Sequence, residues 1–161
     1  MGLCLKVLDK YLLLKPSIRA IVEWLILVSV GMLGVFCSAP MLPFPSANIV
    51  GAVVLVAGWF IHGWAHKIHR QAHEPTEKIE QIVSWGIYSK IRHPCYLGLI
   101  LMFFGFATAW GVVWLLAPAA IFSALTVLTA LREEKLLLEK FGEEYAEYMR
   151  KVRWRFIPGI C

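Results

Sequence analysis

Four long apolar runs, each ended by proline, glycine or charge, constrain this chain more than any other feature. A helix needs about 20 mostly apolar residues to cross a bilayer. Ile18–Ser38 meets that length, interrupted only by Arg19 and Glu23 near one end. Ala47–His66 is a second run, and Gly111–Leu131 a further one, with Pro118 as an expected kink. Tyr96–Trp110 is shorter, which suits a tilted helix or one joined tightly to the next. In hydrocarbon every backbone N–H and C=O must be satisfied within the segment, so runs of this kind fold as helices. Leu3–Leu14 is apolar enough to lie in the interface or dip into lipid. The expectation is an all-α, polytopic integral membrane helix bundle. It has four to five membrane helices and a cytoplasmic C-terminal amphipathic helix.

Composition agrees with that class. Of 161 residues, 59% are hydrophobic and 17% charged, with a mean hydropathy of +0.66. Soluble domains are about 45–50% apolar and about 25% charged. The polar segments are too short for a separate soluble domain, so residues 1–161 form one membrane domain. The net charge of +5 does not imply nucleic acid, because the basic residues flank the apolar runs. Lys6, Lys10, Lys15 and Arg19 precede the first. Lys67, Arg70, Lys78, Lys90 and Arg92 separate the second and third, and Arg132 to Arg155 follow the fourth. The Pro40–Pro45 loop and the Trp110-Gly111 turn carry no Lys or Arg. By the positive-inside rule both termini and the central loop face the cytoplasm. The same residues suit anionic membrane lipids as partners.

Other features have plain positional readings. Gly31, Gly34, Gly51 and Gly58 offer small faces for close helix packing. Trp24, Trp59, Trp64, Trp85, Trp110 and Trp114 sit mostly near span ends, as an aromatic belt does. Cys4, Cys37, Cys95 and Cys161 form no C-x-x-C pair, and neither a disulfide framework nor a zinc site is indicated. His62, His66, His69 and His73 share one helical stripe whose H-x-x-x-H spacing can bind a metal. The stripe holds no carboxylate, however, and His93 is the only other histidine, so no metal is expected. There is no signal peptide with a small-residue cleavage site, no C-a-a-X box and no myristoylation pattern.

The chemistry concentrates in two polar clusters at span ends. In Ser89-Lys90-Ile91-Arg92-His93-Pro94-Cys95-Tyr96-Leu97-Gly98, Pro94 favours a helix start, placing Tyr96, Leu97 and Gly98 in its first turns. Free N–H groups and the dipole end there can hold an anion, and Arg92 can grip a carboxylate with two parallel bonds. Gly98 lets a flat ligand approach the backbone. Lys90 and Arg92 also fit simple marking of the cytoplasmic edge. In Arg132-Glu133-Glu134, Glu134 shares a helical face with Leu138, Phe141, Tyr145 and Tyr148, so it points to the packed side and needs a cationic partner. Arg92 is one candidate and a bound cation another. Adjacent residues cannot share a face, so Glu133 and Glu134 take different roles. The tail from Glu139 to Arg153 reads as an amphipathic helix, or a pair broken at Gly142. It either caps a pocket with Tyr145 and Tyr148 or lies on lipid headgroups.

Together, Arg92-His93-Pro94-x-Tyr96-x-Gly98, Glu133-Glu134, Phe141-Gly142-x-x-Tyr145-x-x-Tyr148 and Val152-x-x-x-Phe156-x-Pro158 resemble the isoprenylcysteine carboxyl methyltransferase family. The resemblance covers about residues 86–158. It implies a membrane enzyme that uses S-adenosyl-L-methionine and releases S-adenosyl-L-homocysteine. His93, Tyr96, Leu97 and Gly98 would then contact the cofactor, with Lys90 and Pro94 in the same corner and Glu133 or Glu134 near its amino or ribose groups. Arg92 and Glu134 are the catalytic candidates, Arg92 orienting a carboxylate. The implied substrate is lipophilic, a C-terminal prenylcysteine entering from the bilayer. A phospholipid amine is an alternative acceptor, and would have to lose a proton to Glu134 or His93. Sterol and isoprenoid reductases share the R-H-P-x-Y-x-G pattern but are larger and bind a nicotinamide dinucleotide. The adjacent glutamates favour the methyltransferase. A non-enzymatic helix bundle is the remaining reading.

Overall fold

The computed structural model describes Tyr11 and residues 16–69 and 79–159. The expectations for Leu3–Leu14 fall outside the described residues apart from Tyr11, and those for His73 fall wholly outside. The chain forms α1 (Pro16–Phe36), α2 (Ser46–Ile68), α3 (Pro94–Trp110), α4 (Leu116–Phe141) and α5 (Glu143–Lys151), with 3-10 turns at Gly86–Ser89 and Val113–Leu115. Among the described residues, three helices are long and apolar enough to cross a membrane: α1, α2, and α4 with the turn before it; α3 is a shorter apolar helix. This is an integral membrane protein.

Successive helices run antiparallel, which separates the molecule into a proline-rich end and a basic end. At the first, the loop after α1 and the turn after α3 are laced together. Leu42 N donates to Gly111 O at 2.7 Å and Val113 N to Pro40 O at 3.0 Å. Gly111 ends α3 with φ +86, a left-handed value that side chains with a Cβ resist. At the other end lie the close of α2, the start of α3 and the close of α4. The 26 residues of α4 extend about 39 Å, beyond the roughly 30 Å hydrocarbon core. About its last six residues therefore project past the lipid, with Arg132, Glu133 and Glu134 close to the boundary.

Two sequence expectations are corrected here. The fourth helix starts later and ends ten residues further on than Leu131, because Lys135 to Phe141 continue the helical register outside the core. Pro118 produces no kink. It lies in the first turn of α4, where N–H groups have no intrahelical acceptor, so its missing donor costs nothing.

Lipid supplies no hydrophobic force between helices, so α2 and α3 are held by close approach of small residues. A Cβ on Gly51 would meet Ala109 N at 2.2 Å, one on Gly105 Leu55 N at 2.4 Å, and one on Gly58 Gly98 O at 2.8 Å. Asn48 Nδ2 adds a hydrogen bond to Ala109 O at 2.9 Å. Gly31 and Gly34 of α1 are filled by Trp110 and Val112. The central core is Leu27, Phe103, Ala107, Leu115 and Phe122, with Trp24 edge-on to Phe106. Ile21, Leu25, Met32, Val53, Phe60 and Ile121 remain exposed on the outer surface, where lipid covers them.

The two charges inside α1 are both buried. Arg19 Nη1 donates to Thr129 Oγ1 of α4 at 2.7 Å and Nε lies 3.5 Å from Glu23 Oε1, while the Tyr11 hydroxyl donates to Glu23. The pair anchors α1 against α4 near the basic end.

The packing makes a direct prediction. Gly105→Ala forces α2 and α3 apart and costs about 1–3 kcal/mol. Gly63→Ala has open space around its Cβ and gains up to about 1 kcal/mol of helix propensity. Thermal unfolding of the purified chain in detergent should show a lower Tm for the first and an unchanged or higher Tm for the second.

Candidate active site

At the basic end the start of α3, the last turns of α4, α5 and the segment after it meet around one carboxylate. Pro94 opens α3 at its first position, with His93 just before it. The approach to that turn is tied to the chain after α5. Arg92 N and His93 N donate to Trp154 O and Arg155 O, both at 2.9 Å, so residues 152–156 pair with the approach to the helix. Gly142, with φ +55, breaks the chain between α4 and α5. The turn folds α5 back so that Tyr145 and Tyr148 are buried against Leu137, Ile79 and Val152.

The carboxylate is Glu134, 4% exposed. Its Oε1 accepts from Arg92 Nε at 2.8 Å and from His93 Nε2 at 3.1 Å. Its Oε2 accepts from Arg155 Nε at 3.0 Å. Arg92 also donates from Nη1 to Val152 O at 2.8 Å and to Arg153 O at 3.0 Å. The cation that a buried Glu134 requires is therefore Arg92, joined by Arg155. Much of Arg92's donor capacity is spent on the protein itself. His93 lies between the rings of Tyr96 and Phe156, with centroids 5.6 and 5.9 Å away.

Glu133 points elsewhere. About 100° further round α4, it borders a cavity with about 550 Å³ of empty space, partly open to solvent. Arg92, His93, Cys95 and Tyr96 form one wall, Glu133 and Leu137 another, and Tyr145 and Tyr148 a third. His69, Ile79, Val83 and Tyr88 complete it. Tyr96 and Glu133 share a side-chain hydrogen bond. The Tyr148 hydroxyl donates to Tyr88 O at 2.8 Å. Burial, reinforced by Glu134 and Glu133, pushes the Tyr145 phenol well above its ordinary value. Burial does the same for Tyr148, against the pull of Arg92. Both phenols stay protonated and can act as donors. Burial pushes the His69 imidazole down, so it is neutral.

Of the residues singled out in the sequence, Arg92, His93, Tyr96, Glu133, Tyr145 and Tyr148 border this cavity. Glu134 sits behind it, as the brace for Arg92 and His93. Lys90 is exposed on the 3-10 turn. Pro94 is buried at the helix start and Leu97 is half-buried beyond it; neither borders the cavity. Gly98 faces α2 instead of a ligand, since a Cβ there would meet His62 N at 2.6 Å. Arg155 and Tyr88 went unnoticed in the sequence. A buried glutamate facing more than one cationic donor was the available signal for Arg155.

A family model described as phospholipid methyltransferase matches residues 46–144. The chain belongs to that family. The match begins at the first residue of α2 and ends just inside α5, so α1 and the Arg155 segment lie outside it. The protein-S-isoprenylcysteine O-methyltransferase of Saccharomyces cerevisiae is 31% identical over 65% of this chain and 46% of its own length. The methanethiol S-methyltransferase 1 of Bradyrhizobium diazoefficiens is 30% identical over 54% of the chain and 28% of its own length. A delta(14)-sterol reductase of Mus musculus is 34% identical over 53% of the chain and 21% of its own length. The chain thus spans less than half the length of these relatives. Two of these three relatives are methyltransferases and the third is a sterol reductase.

Removing the central acceptor tests the brace. Glu134→Ala leaves the buried Arg92 uncompensated, a loss of about 3–5 kcal/mol for a broken buried pair. A marked fall in Tm should appear, together with faster proteolysis of the segment after α5. An unchanged Tm would show that the three donors do not depend on Glu134.

Proposed function

We propose that this chain is an S-adenosyl-L-methionine-dependent carboxyl O-methyltransferase acting on a prenylcysteine-like lipophilic substrate. One observation carries the reading: a carboxylate, Glu133, borders a tyrosine-rich cavity at the end of the bundle where lipid gives way to water. The residues present fit the cofactor. Glu133 suits its ammonium or ribose hydroxyls, the Tyr96, Tyr145 and Tyr148 rings suit its adenine, and the Arg92 guanidinium suits its carboxylate. When bound, the cofactor supplies an electrophilic methyl on a sulfonium.

The protein's contribution is then alignment and exclusion of water. A carboxylate acceptor, with an ordinary pKa near 4, is already ionised at neutral pH and needs no general base. Holding acceptor and methyl in line lowers the barrier through orientation. The roof formed by Tyr145 and Tyr148 keeps the site dry. Glu134 acts by positioning Arg92 and His93, while Glu133 meets the ligand. The density of basic residues around this end supports a cytoplasmic active site and cytoplasmic termini. The acceptor enters from the bilayer, between apolar helix surfaces. The family match and the bacterial relative raise two other acceptors, a phospholipid amine and a small thiol. The sterol reductase match keeps NADPH as the rival nucleotide.

Purified protein separates these readings. Saturating S-adenosyl-L-homocysteine, at about 100 times its Kd, should stabilise the fold by about 2.7 kcal/mol, with no effect of NADPH. Labelled methyl should pass to a farnesylated cysteine as a base-labile ester, and not to phosphatidylethanolamine or methanethiol. Glu133→Gln should keep its Tm but weaken cofactor binding about 10–100-fold, the worth of a charge-assisted hydrogen bond. A shift with NADPH alone sinks the methyl-transfer reading. Transfer to one of the other acceptors alone sinks the carboxyl assignment.

A further inference from the structure

Next to the cavity, α2 and α3 bring together three side chains of another kind. His62 and His66 stand one turn apart on α2, with ring centroids 4.6 Å apart. Cys95, the second residue of α3, is buried between the helices. Its Sγ lies 3.4 Å from His62 Nδ1 and 3.3 Å from His66 Nε2. One donor atom from each of the three residues lies within 4.8 Å of the other two. The approach of Gly98 to the His62 backbone, where a Cβ would sit 2.6 Å from His62 N, is what brings Cys95 so near to α2.

We propose that His62, His66 and Cys95 form a binding site for a thiophilic divalent metal ion, with zinc as its occupant. Bond lengths support the fit. Zinc binds thiolate at about 2.3 Å and imidazole at about 2.0–2.1 Å. With such bonds, sulfur-to-nitrogen separations of 3.3 and 3.4 Å subtend an angle of about 100° at the ion. Cys95 and each histidine are therefore spaced as two ligands of a near-tetrahedral ion, with the donor atoms of all three residues within 4.8 Å of one another. Two histidines at i and i+4 present their rings on one helical face, as helical zinc sites require. Mixed imidazole and thiolate donors favour zinc over magnesium or calcium, which take oxygen.

The protons balance without any redox change. Cys95 releases its thiol proton to solvent as the sulfur–metal bond forms. His62 Nδ1, now 2.9 Å from Cys95 O, gives up its proton while Nε2 takes one, so the imidazole stays neutral. A divalent ion with one thiolate carries a net single positive charge. The Glu133 carboxylate, which borders the same cavity as Cys95, partly offsets it. Three protein ligands leave a fourth position for water or another ligand. Since Cys95 also borders the cavity, the ion would join α2 to α3 in the cavity wall. The sequence concealed this site because the histidine stripe was weighed without the cysteine that packing brings from 29 residues away.

Cobalt titration of the full chain in detergent micelles tests the site. The expected result is a thiolate-to-cobalt charge-transfer band that saturates near about one equivalent and is displaced by zinc. Cys95→Ser should abolish the band and His66→Leu should weaken cobalt binding about 100-fold or more. His66→Cys should retain the band, which separates loss of a ligand from loss of the fold. Elemental analysis of protein purified without chelators should find zinc bound to the wild type and absent from Cys95→Ser. The proposal is overturned by a folded wild type that gives no charge-transfer band, leaving a hydrogen-bonded triad only. A band that survives Cys95→Ser, reporting another thiol such as the exposed Cys37, overturns it equally. Each readout follows the metal itself, so the result stands apart from whether methyl transfer is found.

Discussion

A single buried carboxylate organises the working end of this protein. Glu134 sits where α4 leaves the lipid and draws Arg92, His93 and Arg155 onto its two oxygens. An ionised carboxylate in such a place is tolerable only if it is paired and fully hydrogen-bonded. That requirement ties together three stretches of chain: the approach to α3, the end of α4, and the segment after α5. Arg92 then extends the tie through its bonds to Val152 and Arg153. The roof over the cavity is held by this polar clasp, while the bundle below is held by close packing.

The two ends of the bundle solve different problems. Within lipid, apolar surface is no longer driven together, so α2 and α3 depend on glycines that let backbones touch. The bundle's rigidity there comes from dispersion contacts and a few bonds such as Asn48 to Ala109. Past the lipid, water returns and the ordinary logic of soluble proteins resumes. Ile79, Leu137, Tyr145, Tyr148 and Val152 form a small hydrophobic cluster of their own. The cavity lies at this transition, with polar and aromatic side chains on its walls.

Much of this arrangement was legible in the sequence because its signals are local. Apolar run length marked α1, α2 and the core of α4, Pro94 marked the start of α3, and Gly142 marked the break before α5. Helical periodicity turned Glu134 inward, but Tyr145 and Tyr148 lie on α5 beyond the Gly142 break and are buried by its fold-back, not by a face shared with Glu134. What escaped notice depends on which helices touch. Gly98 resembled a ligand-facing glycine, but the α2–α3 crossing assigns it to helix contact. Pro118 resembled a kink because the 3-10 turn that resets the helix start leaves no local mark. Arg155 could not be separated from Arg153 without knowing the path of the chain after Val152.

The adjacent glutamates show why local and tertiary information must be joined. Successive residues on a helix diverge by about 100°, so an acidic pair at a span end is forced into two environments. One carboxylate meets the packed interior, where it is useful only if neutralised by fixed cations. The other meets the cavity edge, where its charge remains available to something that arrives and leaves. The helix itself therefore separates the carboxylate that holds Arg92, His93 and Arg155 from the carboxylate that borders the cavity.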